Sequence, residues 1–513
     1  MKKLLIICLT FIFGLSLSGC LGDKVSDEID YLTIDELIQM AKNNTSTGGT
    51  TGDIEVTGTP NFTVPAKAYN GEAVEITFYH TMGAKLREQL EIGIADFNKL
   101  YPNITIKHEQ VGGYDDVRNQ IATELTANAQ PNIAYCYPDH VALYNLSDAV
   151  TTLDNLIASE QVITRADGTT ETLGLTAAQK ADFIPGYYNE GRQFGDGLMY
   201  SMPFSKSTEV LYYNKTFFDE HKIDVPTHWF SESADDKLSL EYVCKKIKEI
   251  DPTCIPLGYD SEANLFITMC EQLGSGYTTV KGDNNFIFDN NVNKTFVREF
   301  RNWYRSGYMT TQEIFGAYTS GLFVEVNPEA ARSYMSIGSS AGATHQRPEK
   351  VDGAYPFEVG ISPIPQMNPA NPKVISQGPS LCIFQKANPV EVVASWLFVK
   401  FLTTNVKFQA SFSMESGYVP AIQSVLNNPT YQETFIKEAD GYDDIAALSA
   451  KVCLEQVNAY YTSPAFNGSS KARDQVGLIM TSVLVGQADD ESGVNKLINR
   501  AFADAIANCK ASQ

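Results

Sequence analysis

The run Gly338-Ser339-Ser340-Ala341-Gly342 fits the G-x-S-x-G pattern. In that pattern a sharp strand-to-helix turn exposes a nucleophilic serine, here Ser340. A hydrolase of this kind needs an acid and then a histidine further along the chain. The last histidine is His345, too near to follow an intervening acid strand. The histidines at 80, 108, 140, 221, 228 and 345 show no close ligand-pair spacing, and a metal site needs several convergent ligands. No Gly-rich phosphate loop or dinucleotide fingerprint occurs. The residue types argue against an enzyme and call for no metal or cofactor.

Cys20 has a different chemistry. It closes Leu17-Ser18-Gly19-Cys20, after Lys2, Lys3 and an apolar stretch from Leu4 to Leu17. A charged start, a short apolar run and small residues mark a secretory signal. The terminal cysteine resembles the lipobox of bacterial lipoproteins, which implies cleavage after residue 19 and lipid on the Cys20 thiol. Acyl chains bind a bilayer at about 0.8 kcal/mol per buried methylene, so two or three hold a protein firmly. An ordinary signal or an uncleaved anchor helix is the alternative. The apolar run is roughly 14 residues, short of the ~20 that span a bilayer.

The remainder of the 513 residues allows two or three domains, with 43 % hydrophobic residues to fill their cores. A formal charge of −22 repels nucleic acid and anionic lipid, and serves solubility. Cys136, Cys244, Cys254, Cys270, Cys382, Cys453 and Cys509 are scattered without zinc spacing. Cys244 and Cys254 can form one bridge or stay as single buried thiols.

Residues 20–72 read as a lipid-anchored flexible tether, with a short helix within Asp27 to Asn43 and a Ser/Thr/Gly-rich run from Thr45 to Gly52. The body begins near Val74. Glu75 to His80 alternates as a strand, Lys85 to Leu100 has helical periodicity, and Ile104 to Ile106 is a second strand. Asp115 to Asn128 predicts a second helix and Asn132 to Tyr137 a third strand. That alternation predicts a parallel α/β sheet. Pro203 to Lys215 predicts one long strand, Arg332 to Ile337 another, and Pro389 to Gln513 mostly helix.

Several pieces, in this order, resemble family 1 extracellular solute-binding proteins of ABC importers. They are Phe78-Tyr79-His80-Thr81-Met82, Phe97-Asn98-Lys99-Leu100-Tyr101-Pro102, Gly113-Tyr114-Asp115, Asn128 to Ile133, Leu211 to Lys215 and Gly417-Tyr418-Val419-Pro420. The resemblance covers about residues 74 to 505, and is strongest to glycerol-3-phosphate-binding members, then to maltose-type and other oligosaccharide binders. It implies a two-lobed periplasmic-binding-protein-like fold of type II, with parallel-rich sheets flanked by helices and a hinge between lobes. The expected division is 73–205 plus 328–375 for lobe 1, and 206–327 plus 376–513 for lobe 2.

The same resemblance implies ligand contacts at Tyr114, Ser207, Ser339, Gly378, Tyr418 and Arg473, the arginine placed for a phosphate. The plainer reading of each is local. Tyr114 and Tyr418 suit half-buried packing, Ser207 a strand neighbour, Gly378 backbone geometry and Arg473 a surface pair. The sequence departs from the phosphate-ester pattern twice. The acidic position after the third strand can be filled only by Asp139, one residue displaced. The second-lobe tryptophan pair is replaced by Tyr259-Asp260-Ser261-Glu262-Ala263-Asn264. Carboxylates such as Asp260 and Glu262 accept charge-assisted bonds from sugar hydroxyls and repel phosphate. They serve equally as surface charge. Trp229 and Trp303 are not expected to be platforms. The expected partners are a sugar, or alternatively glycerol-3-phosphate or a glycerophosphodiester, ABC permease subunits, and the membrane through Cys20 at the extracytoplasmic face. An adhesin would need no closable cleft.

Overall fold

The computed structural model describes residues 28–45, 54–436 and 444–513. The signal segment and Cys20 lie outside the described residues. The strands of the two main sheets are β1 (Val74–His80), β2 (Ile104–Gln110), β3 (Ile133–Cys136), β4 (Met202–Pro203), β5 (Glu209–Asn214), β6 (Leu257–Tyr259), β7 (Met309–Thr311), β8 (Met335–Ser339), β9 (Val359–Pro363) and β10 (Ser380–Ile383). The helices used below are α1 (Ile34–Asn43), α2 (Ala84–Leu100), α3 (Tyr114–Leu125), α4 (Pro138–Tyr144), α5 (Glu262–Leu273), α6 (Pro389–Thr404), α7 (Ile445–Glu455) and α8 (Ser469–Val485).

Alternation in β1 buries Ile76 and Phe78, and the strand runs parallel to β2 and β3 as the β-α-β-α-β pattern requires. The first sheet has the order β2-β1-β3-β10-β4, and the second β7-β6-β8-β5-β9. Each carries an antiparallel part: β10 against β3 and β4, and β5 against β8 and β9. Helix α6 covers the first sheet, with Phe398 packed on Phe78 and Phe97. Trp229 and Trp303 are core residues of the second lobe.

The pairing corrects the expected lobe division. Residues 328–375 contribute β8 and β9 to the second sheet, while β10 and α6 belong to the first lobe. Strand periodicity gives burial but not the partner, so an antiparallel strand returning to the earlier sheet leaves no local signal. The long strand expected from Pro203 to Lys215 is broken for the same reason. Ser205–Lys206 pairs with Val419–Pro420 in the first lobe, and β5 enters the second sheet. The chain therefore crosses between lobes near Ser207, again near Gln377, and a third time before α8, which packs in the second lobe.

The tether is also shorter than expected. Thr33 caps α1 through a reciprocal capping box with Glu36, and Leu37, Ile38 and Ala41 are buried in the second lobe's core. The Leu32 N–H donates to Thr295 Oγ1 at 3.1 Å, and the Arg298 guanidinium lies 3.7 Å from the Tyr31 ring. Residues 54–72 lie instead on the first lobe, where Asn61 and Thr152 exchange hydrogen bonds of 2.8 Å. An amphipathic helix with two large apolar residues and an alanine on one side gains more by docking than by remaining in water.

All seven described cysteines are buried and none is in a disulfide, Cys244 and Cys254 included. Among the described residues no helix is long and apolar enough to cross a membrane.

Candidate functional site

The carboxyl ends of the parallel strands face one another across the interlobe gap, where open α/β sheets place their ligands. There the chain forms a cleft of about 550 Å³, within the roughly 300–1,000 Å³ range of small-molecule sites.

The first lobe supplies an aromatic wall. Tyr114 opens α3 after β2, and Tyr137 follows β3 directly. Their ring centroids are 4.8 Å apart, and Tyr114 also stacks on Tyr135 at 6.4 Å. Burial pushes the hydroxyls of Tyr114 and Tyr137 up, so both stay neutral donors. Asp139 and His140, at the start of α4, complete this wall. His140 is only 4 % exposed, and its burial lowers its proton affinity.

The second lobe supplies a charged wall. The Ser261 hydroxyl caps α5, accepting the Asn264 N–H at 3.2 Å, which sets Glu262 at the cleft edge. Glu262 Oε1 accepts the Glu313 N–H at 2.8 Å. Arg473, on α8, donates to the Asn264 side-chain carbonyl. Asn264 Nδ2 donates to Glu209 Oε1 at 2.9 Å, and the Tyr259 hydroxyl to Oε2 at 2.7 Å. Glu209 is 1 % exposed. Burial pushes its carboxyl up to about 7, against the pull of Tyr259, Asn264 and Arg473. This buried chain fixes where the Arg473 guanidinium sits. Arg118 of α3 reaches across the gap to the Ser470 hydroxyl at 3.0 Å, so the lobes are in contact.

Of the residues singled out in the sequence, Tyr114, Asp139, Glu262 and Arg473 line this cleft together. Tyr418 lies one layer behind, its hydroxyl 3.4 Å from that of Tyr114. The others do not line it. The Ser207 backbone exchanges hydrogen bonds of 2.9 and 2.8 Å with Gln377, tying two of the crossings together. Gly378 has φ +86°, and a Cβ there would meet the Ser205 carbonyl at 2.3 Å. Asp260 turns away, accepting the Thr319 N–H and hydroxyl at 2.7 Å each, and burial raises its carboxyl. Ser339 Oγ accepts the Ala341 N–H at 3.3 Å within its own turn. Ser340 is fully buried and its Oγ accepts the Thr208 N–H at 3.1 Å, a hinge contact rather than an exposed nucleophile.

Sequence reasoning missed Tyr137, Tyr277, His140 and Arg118 on the cleft walls, and the Glu209 network behind them. Tyr137 carried a usable signal, its place just after a parallel strand. Tyr277 and Glu209 carried none. The histidine spacing also concealed one pair: His80 Nε2 lies 2.9 Å from His108 Nδ1 across β1 and β2, and burial pushes His80 down to about 3. Among the described residues no group of three ligand-type side chains could hold a metal ion.

Two lobes, several chain crossings and a polar cleft between them define a binding protein of the periplasmic type. The family model described as bacterial extracellular solute-binding protein matches residues 94–439, and the chain belongs to that family. The sn-glycerol-3-phosphate-binding periplasmic protein UgpB of Rhizobium meliloti is 22 % identical over 450 residues, 85 % of this chain and 95 % of that one. The UgpB of Salmonella paratyphi A is 26 % identical over 174 residues, 33 % of this chain; the match spans about a third, 36 %, of that relative's length. Among solved structures, Mycobacterium tuberculosis UgpB in complex with glycerophosphocholine superposes with a TM-score of 0.63 at 17 % identity, covering 86 % of this chain and 100 % of that one. The GacH receptor of Streptomyces glaucescens, solved unliganded and with acarbose, gives 0.62 at 15 % identity, covering 85 % and 98 %. These likenesses establish the fold.

Proposed function

We propose that this protein is the lipid-anchored binding subunit of an ABC importer, closing its lobes on a mono- or oligosaccharide and delivering it to the permease. The cleft carries the reading: tyrosine faces on one wall, carboxylates and one positioned arginine on the other. A sugar presents an apolar face to such rings, and hydroxyls that donate to carboxylates. Cys20 is the proposed lipid attachment, and the two lobes are the proposed units of closure.

The alternative ligand is sn-glycerol-3-phosphate or a glycerophosphodiester, favoured by Arg473 and by the names of the UgpB relatives. Calorimetric titration with a panel of sugars and glycerol phosphates separates the two. Sugar binding with no response to glycerol-3-phosphate is expected. Tight glycerol-3-phosphate binding without any sugar response would sink the carbohydrate reading. Cys20→Ala should release the protein from the membrane or block its processing. A mature variant still held on the membrane would remove Cys20 from the anchor.

A further inference from the structure

The charge of the cleft is lopsided. Asp115, Asp139, Glu262, Glu313 and Asp474 line it, against Arg118 and Arg473, with no lysine among the described residues. Arg118 is already engaged with Asp115 at 3.1 Å and with Ser470. The carboxylates come from both lobes: Asp115 and Asp139 from the first, Glu262, Glu313 and Asp474 from the second. Closing the lobes brings like charges together. Asp474 registers this, its carboxyl raised by burial first and also by Asp115 and Asp139, while Arg118 and Lys471 oppose the rise. A neutral solute leaves that repulsion in place. A cationic one supplies the missing counter-charge at the moment of closure.

Two groups remain unspent at this end. The Asp139 carboxylate has no hydrogen bond or ion pair among the described residues. His140 lines the same cleft, is 4 % exposed, and its Nδ1 has no partner among the described residues. Burial keeps that imidazole neutral, so its free nitrogen can accept a hydrogen bond from an N–H donor. A carboxylate and a neutral imidazole together match a protonated amine better than a hydroxyl, because the ammonium has three donors and no acceptor.

We propose that the solute carries a basic nitrogen: the cleft takes an amino sugar, or an oligosaccharide containing one, with the ammonium held at Asp139 and His140. This rests on the carbohydrate reading and narrows it.

The test is calorimetric titration of the full chain with three probes of one shape: the β-1,4-linked disaccharide of glucosamine, its di-N-acetylated form, and cellobiose. The amine should bind about tenfold or more tightly than either neutral probe. Equal affinities, or tighter binding of a neutral probe, overturn the basic-nitrogen inference and leave the carbohydrate reading standing. No response to any of the three, with tight binding of glycerol-3-phosphate, overturns both. Asp139→Asn should bring the amine-to-cellobiose ratio to within about threefold of one. An unchanged ratio in Asp139→Asn would overturn the assignment of the ammonium to Asp139.

Discussion

The hinge and the cleft lie side by side and treat polar groups in opposite ways. In the hinge the charged groups are paired internally, although the buried Ser205 hydroxyl has no partner among the described residues. Lys206, fully buried, donates to Glu190 at 2.7 Å and to the Gly378 carbonyl at 3.0 Å. Glu190 also accepts from Ser376 at 3.2 Å and Ser380 at 3.1 Å. Ser207 pairs with Gln377, and Thr208 with Ser340. In the cleft, among the described residues, Asp139, the Nδ1 of His140 and much of the Arg473 guanidinium are left over. A buried polar group without a partner costs free energy that folding alone does not recover. The hinge is therefore scaffold, and the unsaturated cleft is where an incoming molecule supplies the partners.

The largest effect should come from breaking the saturated side. Lys206→Met leaves Glu190 buried without its cation. Removing one partner of such a pair costs about 3–5 kcal/mol. Urea unfolding should show that loss, and a loss below 1 kcal/mol would mean the hinge pair is not structural.

The next contrast lies in the cleft. Arg473→Ala should weaken solute binding by roughly tenfold or more, since charged hydrogen bonds contribute about 1.5–3 kcal/mol. Stability should change much less than in Lys206→Met. Unaltered affinity would place Arg473 with the scaffold.

Glu209 sits between the two regimes and has a pH signature. Its carboxyl is pushed up to about 7 in the fold, above the ~4.3 of a free glutamate. The folded state then binds more protons than the unfolded state between those values, so this group's contribution to stability falls as pH rises from about 4.5 to 7. Glu209→Gln should flatten that decline by roughly 1–3 kcal/mol, read from unfolding at pH 5 and pH 7. Parallel pH profiles for both proteins would assign the decline elsewhere.

The smallest effect should be at Ser207. Its hinge bonds are made by its backbone, so Ser207→Ala should leave affinity within about twofold and stability within ~0.5 kcal/mol. A large loss of affinity would make its hydroxyl a ligand contact after all.

These residues also show how much the sequence disclosed. Strands β1 to β3 were legible because alternation and helical periodicity are local properties of the chain. Tyr114, Asp139 and Glu262 were singled out through the family resemblance, and they stand at the carboxyl ends of strands or the start of the next helix, where a parallel sheet points toward its ligand. Asp260 satisfies the same rule and still leaves the cleft, because the chain near Thr319 folds over it and takes its carboxylate. That loop closes through contacts distant in sequence, which no local pattern encodes. The lobe division failed likewise, since β10 returns to the first sheet after the chain has built the second. Glu209 was invisible because a buried acid in a strand is identified only by the donors around it.

The docking of α1 changes the length of the leash. A chain free from residue 21 to residue 72 could pay out well over 150 Å, at about 3.3–3.6 Å per extended residue. With α1 pinned to the second lobe, only residues 21–27 separate Cys20 from the described body, a reach of at most about 30 Å. A protein anchored at Cys20 would then ride low over the bilayer with its second lobe nearest the lipid. Its search for a permease would be a sweep across the plane of the membrane at nearly fixed height.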